Sequence, residues 1–364
     1  MTDETTTPID DEPIGLAGPS DAPGTPEAPA EPELDEAEIE RRFAAPAGHT
    51  HIGGQALIEG IMMRGKTAWA VAVRTADGSI HLEEHDLPPK NRRGWRVWPV
   101  ARGVWAMYET LALSLKAFGV AASLAGATEE EQLTPTEIGW TMVIGVGLSV
   151  VAFIIAPALL TNLVTSSVTH PYLWNIVDGI LRLAVFLAYI WGVGFMPDIR
   201  RVFAYHGAEH KSIHAFEHGI PLQPRYVQRY DTLHVRCGTA FLLMVMLVSI
   251  AVFSLLPGKV VMGWWDVTAA AAIIAFNILS RIVLLPVVAG LAYEITVKWA
   301  GSHSENPFVK VLLWPGMQLQ RLTTREPDDG MVEVAVAALL AVAARDARAE
   351  AGALPTPDAV PGLS

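Results

Sequence analysis

One cysteine, Cys237, is all that 364 residues contain. That excludes an intramolecular disulfide and leaves a single thiol free to be buried, redox-active or metal-ligating. Charge is scarce as well: Asp, Glu, Lys and Arg make up 18% of the chain against 51% hydrophobic residues, and the mean hydropathy is +0.32. So apolar a composition is unusual for a soluble protein of this length and points to membrane insertion. The first 47 residues have no apolar core region, so no secretory signal peptide is expected there. No basic patch or nucleic-acid motif is present, which excludes nucleic acid as a partner. The net charge of −12 comes largely from the Asp- and Glu-rich N-terminal tail and says little about the rest.

What is present is a set of long apolar runs. Four of them, Ile138 to Val164, Leu173 to Met196, Thr239 to Pro257 and Asp266 to Tyr293, are long enough to cross a hydrocarbon core of roughly 30 Å as helices. The connections 165–172 and 258–265 carry almost no cations, Lys259 being the exception. The stretch 197–238 between them carries Arg200, Arg201, Lys211, Arg225, Arg229 and Arg236. Cationic loops stay inside, so this insert is expected in the cytosol, with both termini on the same side. The expected location is the cell membrane, multi-pass, with the bilayer as partner.

Five of the eleven histidines fall in that insert, beginning with Tyr205-His206-Gly207-Ala208-Glu209-His210-Lys211. On a helix, His206 and His210 project to one face with Glu209 beside them. The pattern H-x-x-E-H is the inverted zinc-peptidase signature, two histidines holding the metal and the glutamate activating its water. The expected cofactor is a divalent metal, zinc first. A catalytic zinc takes three protein ligands and keeps one position open. His234, Glu294 and Cys237 are the candidates for the third, with His234 and Glu294 ahead of Cys237. Glu217 falls two turns from His210 and reaches the ion only if the helix bends. Glu209 is the candidate general base, and Lys211 or Arg236 the candidate oxyanion stabiliser. The competing reading is a polar network that caps helix ends at the membrane border.

The remainder divides into six segments. Residues 1–47 read as a disordered acidic tail. Residues 48–90 form a small β element, with strands from Trp69 to Arg74 and Ile80 to Glu84 around a Gly turn. Residues 91–137 hold an amphipathic interfacial helix from Trp95 to Ala121 and a loop. Residues 138–293 are the four-span domain. Residues 294–354 contain a break at Trp314-Pro315-Gly316 and then a helix from Met331 to Arg348 behind an Asp328 N-cap. Residues 355–364 are a second tail. The fold expected is a mostly α polytopic membrane protein with about four transmembrane helices, a small β-hairpin and a cytosolic His-rich helical platform.

Four strings occur in order: Gly53 to Gly65, Tyr205 to Lys211, His234-Val-Arg-Cys-Gly-Thr239, and Pro315 to Pro327. Together they resemble the YqhQ-like bacterial membrane proteins, which carry a domain of unknown function numbered 1385. Val235 stands where the family usually has proline. The resemblance implies a predicted metal-dependent enzyme, a label resting on the same histidine and glutamate pattern. Three functions follow from the residues: a metal-dependent hydrolase at the cytosolic face; a non-catalytic membrane scaffold or assembly factor with a membrane or cytosolic protein partner; and a di-iron oxidase, disfavoured because no His-His pair occurs.

Overall fold

The computed structural model describes residues 35–45, 48, 50–88, 94–124, 135–165, 169–235, 237–265, 268–300, 303 and 306–352. Arg236 and most of the two tails lie outside the described residues. The stretch from Glu36, expected inside an unstructured tail, instead forms helix α1 (Glu36–Ala44), capped by Asp35, whose carboxylate accepts from Glu38 N at 2.6 Å. Ile39 and Phe43, four apart, explain the difference: Ile39 is buried, and Phe43 stacks on Tyr230 at 4.8 Å.

The β element is larger than the expected hairpin. Strands β1 (Gly53–Leu57), β2 (Gly60–Arg64), β3 (Ala68–Arg74) and β4 (Ile80–Asp86) make an antiparallel meander in sequential order. The added hairpin comes from the glycine-punctuated string, Leu57 pairing with Gly60 across a two-residue turn. Glu59 occupies that turn at φ 50°, a cost for a non-glycine residue. The turn is held because Glu59 O accepts from Arg74 N at 2.8 Å and its carboxylate receives Arg201 and Tyr205. The Arg201 guanidinium keeps the Glu59 carboxyl below its ordinary range.

Beyond the sheet, a short 3-10 turn (Gly94–Val97) leads into α2 (Ala101–Leu124). Then come α3 (Pro135–Val150), a π-helical turn and α4 (Ala156–Val164), followed by α5 (Pro171–Val193), α6 (Pro197–Glu217) and the short α7 (Pro224–Val227). The chain continues as α8 (Gly238–Ser254), α9 (Gly258–Gly263) and α10 (Ala270–Tyr293) with a π-helical extension Glu294–Trp299. It closes with α11 (Pro307–Thr323) and α12 (Asp329–Glu350). Four helical stretches are long and apolar enough to cross a membrane: Gly139–Val164, Pro171–Val193, Gly238–Gly263 and Ala270–Trp299. The expected break at Pro315 does not occur. Helix α11 runs through it, because Gly316 lets its backbone press on Ala240 of α8, where a Cβ would meet the Ala240 Cβ at 2.7 Å. That packing outweighs the hydrogen bond lost to proline.

The central strands β2 and β3 are buried on both faces, and the period-2 alternation sorts the side chains. Ile61, Met63, Ala70 and Ala72 pack with α1, α6 and α12 in one core. Leu57, Met62, Trp69, Val71 and Val73 pack with Leu113, Ala117 and Ala121 of α2 in the other. Tyr108, Leu111, Leu115 and Phe118 on α2 remain exposed. Helix α12 starts as its sequence predicts, Asp328 Oδ1 accepting from Met331 N at 2.8 Å. The result is three layers, with α6 held between sheet, α12 and the roots of the long apolar helices.

Candidate metal centre

Pro197 opens α6 at the first turn, where its missing N–H costs nothing. The helix carries His206, His210 and His214 at intervals of one turn, with His218 as its C-cap. Gly207 is the residue that lets this helix reach its place: a Cβ there would lie 2.1 Å from Arg325 O, and Arg325 N donates to Phe203 O at 2.9 Å. The segment after α11 therefore crosses directly over α6, and its backbone becomes part of the site.

Both leading imidazoles are oriented by carbonyls. Nδ1 of His206 faces Thr323 O at 2.8 Å, and Nδ1 of His210 faces Thr232 O at 2.5 Å. A carbonyl only accepts, so each Nδ1 carries the proton and donates it, and each Nε2 presents a lone pair. This is the outer bond that ligating histidines ordinarily make. Nε2 of His206 lies 3.1 Å from Cys237 Sγ, while Nε2 of His210 is buried with no hydrogen-bond partner among the described residues. The two rings are 4.4 Å apart. His206, His210 and Cys237 thus form a buried group able to hold a metal ion, with ligand atoms within 4.8 Å of one another. Tetrahedral zinc with these ligands sets them about 3–4 Å apart, so the side chains need move only on the order of an ångström. Burial lowers the His210 pKa, outweighing the opposing pull of the nearby Cys237 sulfur, so the ring is held neutral as ligation requires. Cys237 is also the N-cap of α8, its sulfur accepting from Thr239 N at 3.4 Å.

Glu209 sits beside this group, buried, with Oε1 accepting from Gly54 N at 2.9 Å. Desolvation raises its pKa, countered in part by His206. Gly54 allows the approach, since a Cβ there would fall 2.9 Å from Glu209 Cδ. Gly54 of β1 therefore serves the site, a role its sequence did not disclose.

Of the other described candidates, His234 adjoins the group, while Glu294, Lys211 and Glu217 are engaged with other partners. His234 is buried next to the group, its ring 5.5 Å from His210 and 4.6 Å from His214, and its Nε2 is 3.8 Å from Glu217 Oε2. Gln320 clamps the His234 backbone, accepting from its N at 2.8 Å and donating to its O at 2.9 Å. Glu294 is turned toward α2, where it takes Arg102 Nε at 2.7 Å and Val100 N at 3.2 Å, and it is not part of the ligand group. Lys211 points away too, donating to Gln228 O at 2.9 Å and pairing with Glu326 at 2.7 Å. Glu217 receives Thr50 N at 3.0 Å. Sequence reasoning missed Thr232, Thr323, Gly54 and Gln320. The first two act through backbone carbonyls, which leave no residue signature.

A family model described as protein of unknown function (DUF1385) matches residues 98–345. The uncharacterized protein YqhQ of Bacillus subtilis (strain 168) is 31% identical over 300 residues, covering 78% of this chain and 89% of that one. No solved structure matches the chain.

Proposed function

The chain belongs to the DUF1385 family of YqhQ-like proteins, and we propose that it is a membrane-bound metal-dependent hydrolase centred on His206, His210 and Cys237, with Glu209 as general base. The observation that carries the reading is the buried Nε2 of His210, which has no hydrogen-bond partner among the described residues and lies within 4.8 Å of the two other ligand atoms. Unsatisfied buried polar atoms are costly, and an ion would satisfy this one. A bound divalent metal, zinc by ligand type, supplies Lewis-acid activation of water.

The protein's own groups supply the rest. The Thr232 and Thr323 carbonyls fix the imidazole tautomers. Glu209, with its pKa raised by burial, accepts the proton released as water attacks and returns it to the leaving group. The Gly54 N–H holds the carboxylate in place. The cationic insert 197–238 supports placing the site on the cytosolic side. So does the packing of α1 and α12 against α6, which brings the first and last described helices to the same side, as an even number of crossings requires. A second reading, a non-catalytic scaffold or membrane-protein assembly factor, draws on one observation. The ligands join α6 to the first turn of α8, as a structural metal clamp would.

Elemental analysis of detergent-purified protein separates these readings. Wild type is expected to hold close to one transition metal per chain and the His206→Ala, His210→Ala double variant none. Glu209→Gln is expected to keep the metal but lose hydrolysis of ester or peptide substrates. Metal retained by the double variant, or none in wild type after zinc addition, would overturn the metal-dependent reading. Metal present with Glu209→Gln unchanged in every activity would favour the clamp.

A further inference from the structure

Strand β4 lies at the edge of the sheet, and one of its faces reads His81, Glu83, His85 at the period-2 spacing of a strand. Opposite them on β3 stand Val73, Val71 and Trp69, so the row continues the sheet face that packs against α2, away from α6 and its histidines. We propose that this row is a surface metal site, which takes an exchangeable divalent transition-metal ion such as zinc or copper through two imidazoles and one carboxylate.

The Glu83 carboxylate stands between the two rings. His81 Nε2 lies 3.0 Å from its Oε1, and His85 Nε2 lies 3.3 Å from its Oε2. Two ligand atoms on one tetrahedral zinc are about 3–4 Å apart, so each imidazole already holds the spacing to the carboxylate that an ion needs. The rings sit on different oxygens, and the remaining adjustment is a swing that brings both to one ion. The three side chains are 35–43% exposed and have room for it. His85 is the fixed member, its ring stacked on Trp69 at 4.2 Å, which leaves the larger movement to His81. Each Nε2 now faces a carboxylate and carries the proton; an ion takes the other tautomer, with the proton on Nδ1.

The acids on the other face of the same strand are matched differently. Glu84 and Asp86 both pair with Arg345 of α12. The ion-pair partners of Glu83 among the described residues are the two histidines. Its carboxylate therefore meets nitrogens able to bind a metal, where its neighbours meet a guanidinium that is not. Imidazole and carboxylate together suit zinc, copper and nickel, and three protein ligands leave coordination positions to water. Half-exposed ligands on a single strand hold an ion less firmly than a buried group that joins two helices. The ion therefore leaves in metal-free buffer, and titration reveals the site where metal carried through purification does not. Nothing in this inference depends on the buried histidine group or on hydrolysis.

Zinc titration against a chromophoric chelator tests it, on the full chain in detergent carrying His206→Ala and His210→Ala so that the buried group is silent. That chain is expected to bind close to one zinc. Adding His81→Gln, His85→Gln or Glu83→Gln should each weaken binding at least about tenfold, the loss that an outer-shell partner alone brings. His170→Gln with His303→Gln, exposed histidines elsewhere, should leave it unchanged. Copper(II) as a second probe should show hyperfine coupling to two nitrogens by electron paramagnetic resonance. An unchanged melting temperature in metal-free buffer shows that a variant folds. Should the background chain misfold, the same titration of wild type against His81→Gln decides, with the loss of the weaker equivalent expected. No zinc bound by the folded background chain, zinc bound equally after His81→Gln and His85→Gln together, or zinc lost in the His170→Gln, His303→Gln control would overturn the proposal.

Discussion

Among the described residues, one buried polar cluster lies among the long apolar helices and another above them, and the two are built on opposite logics. In the first, Asp178 accepts from Arg281 Nε and Arg182, both at 3.0 Å. Arg281 also donates to Asn277 O at 2.6 Å and Asn175 Oδ1 at 2.8 Å, and Asn175 donates onward to Phe253 O at 2.5 Å. Donors alternate with acceptors, and the polar atom left over, Arg182 Nε, is a donor. In the second, protons point outward to carbonyls and the lone pairs of two imidazoles and a sulfur converge on one another. Alternation makes a cluster that is complete in itself and ties helices together. The single S–H of Cys237 can serve one imidazole and not both, so one buried lone pair keeps no partner inside the group. A buried cluster is therefore diagnostic by the direction of its hydrogen bonds more than by its residue types.

If that distinction holds, removing one member should hurt the first cluster most. Asp178→Ala is expected to cost about 3–5 kcal/mol, because it strands the buried Arg281 guanidinium. Thermal unfolding in detergent measures it, and Asp178→Leu combined with Arg281→Met should recover most of the loss. Stability within about 1 kcal/mol of wild type in Asp178→Ala would erase the contrast. The histidine group should respond instead to what is added. Zinc at a hundred times its dissociation constant is expected to stabilise the protein by about 2.7 kcal/mol, and His210→Ala should abolish the gain; an equal shift in that variant would place the ion elsewhere. Gly54→Ala, which sets a methyl 2.8 Å from Met62 O and 2.9 Å from Glu209 Cδ, should cost about 1–3 kcal/mol in the metal-free protein. A cap remote from both clusters sets the scale: Asp328→Ala should cost about 1 kcal/mol by loss of the bond to Met331 N.

Long-period features were legible in the sequence, and contacts made through backbone were not. The four apolar helices were plain because each is a run of twenty or so residues that no other element accommodates. The start of α12 was legible from Asp328 because a side-chain cap is written in the residue itself. The β1–β2 hairpin was hidden: its turn, Ile58-Glu59, lacks glycine or asparagine, and its conformation is supported from outside by Arg201, Tyr205 and Arg74. At the site, His206 and His210 stand out by spacing, whereas nothing in the local sequence puts Cys237 ahead of Glu294. Depth along the chain made the two look equivalent, but Glu294 is drawn off by Arg102, a partner 192 residues away in sequence. Long-range competition of that kind cannot be read from local pattern.

Only Gly194, Phe195 and Met196 separate α5 from α6, and Cys237 immediately precedes α8. The imidazoles are thus carried by a direct continuation of one long apolar helix, and the sulfur by the first turn of another. The 3.1 Å between His206 Nε2 and Cys237 Sγ is therefore a caliper set across two neighbouring rods. Any axial slip or tilt of α8 against α5 is read out as a change in that gap, and whatever closes the gap fixes the relative height of the rods.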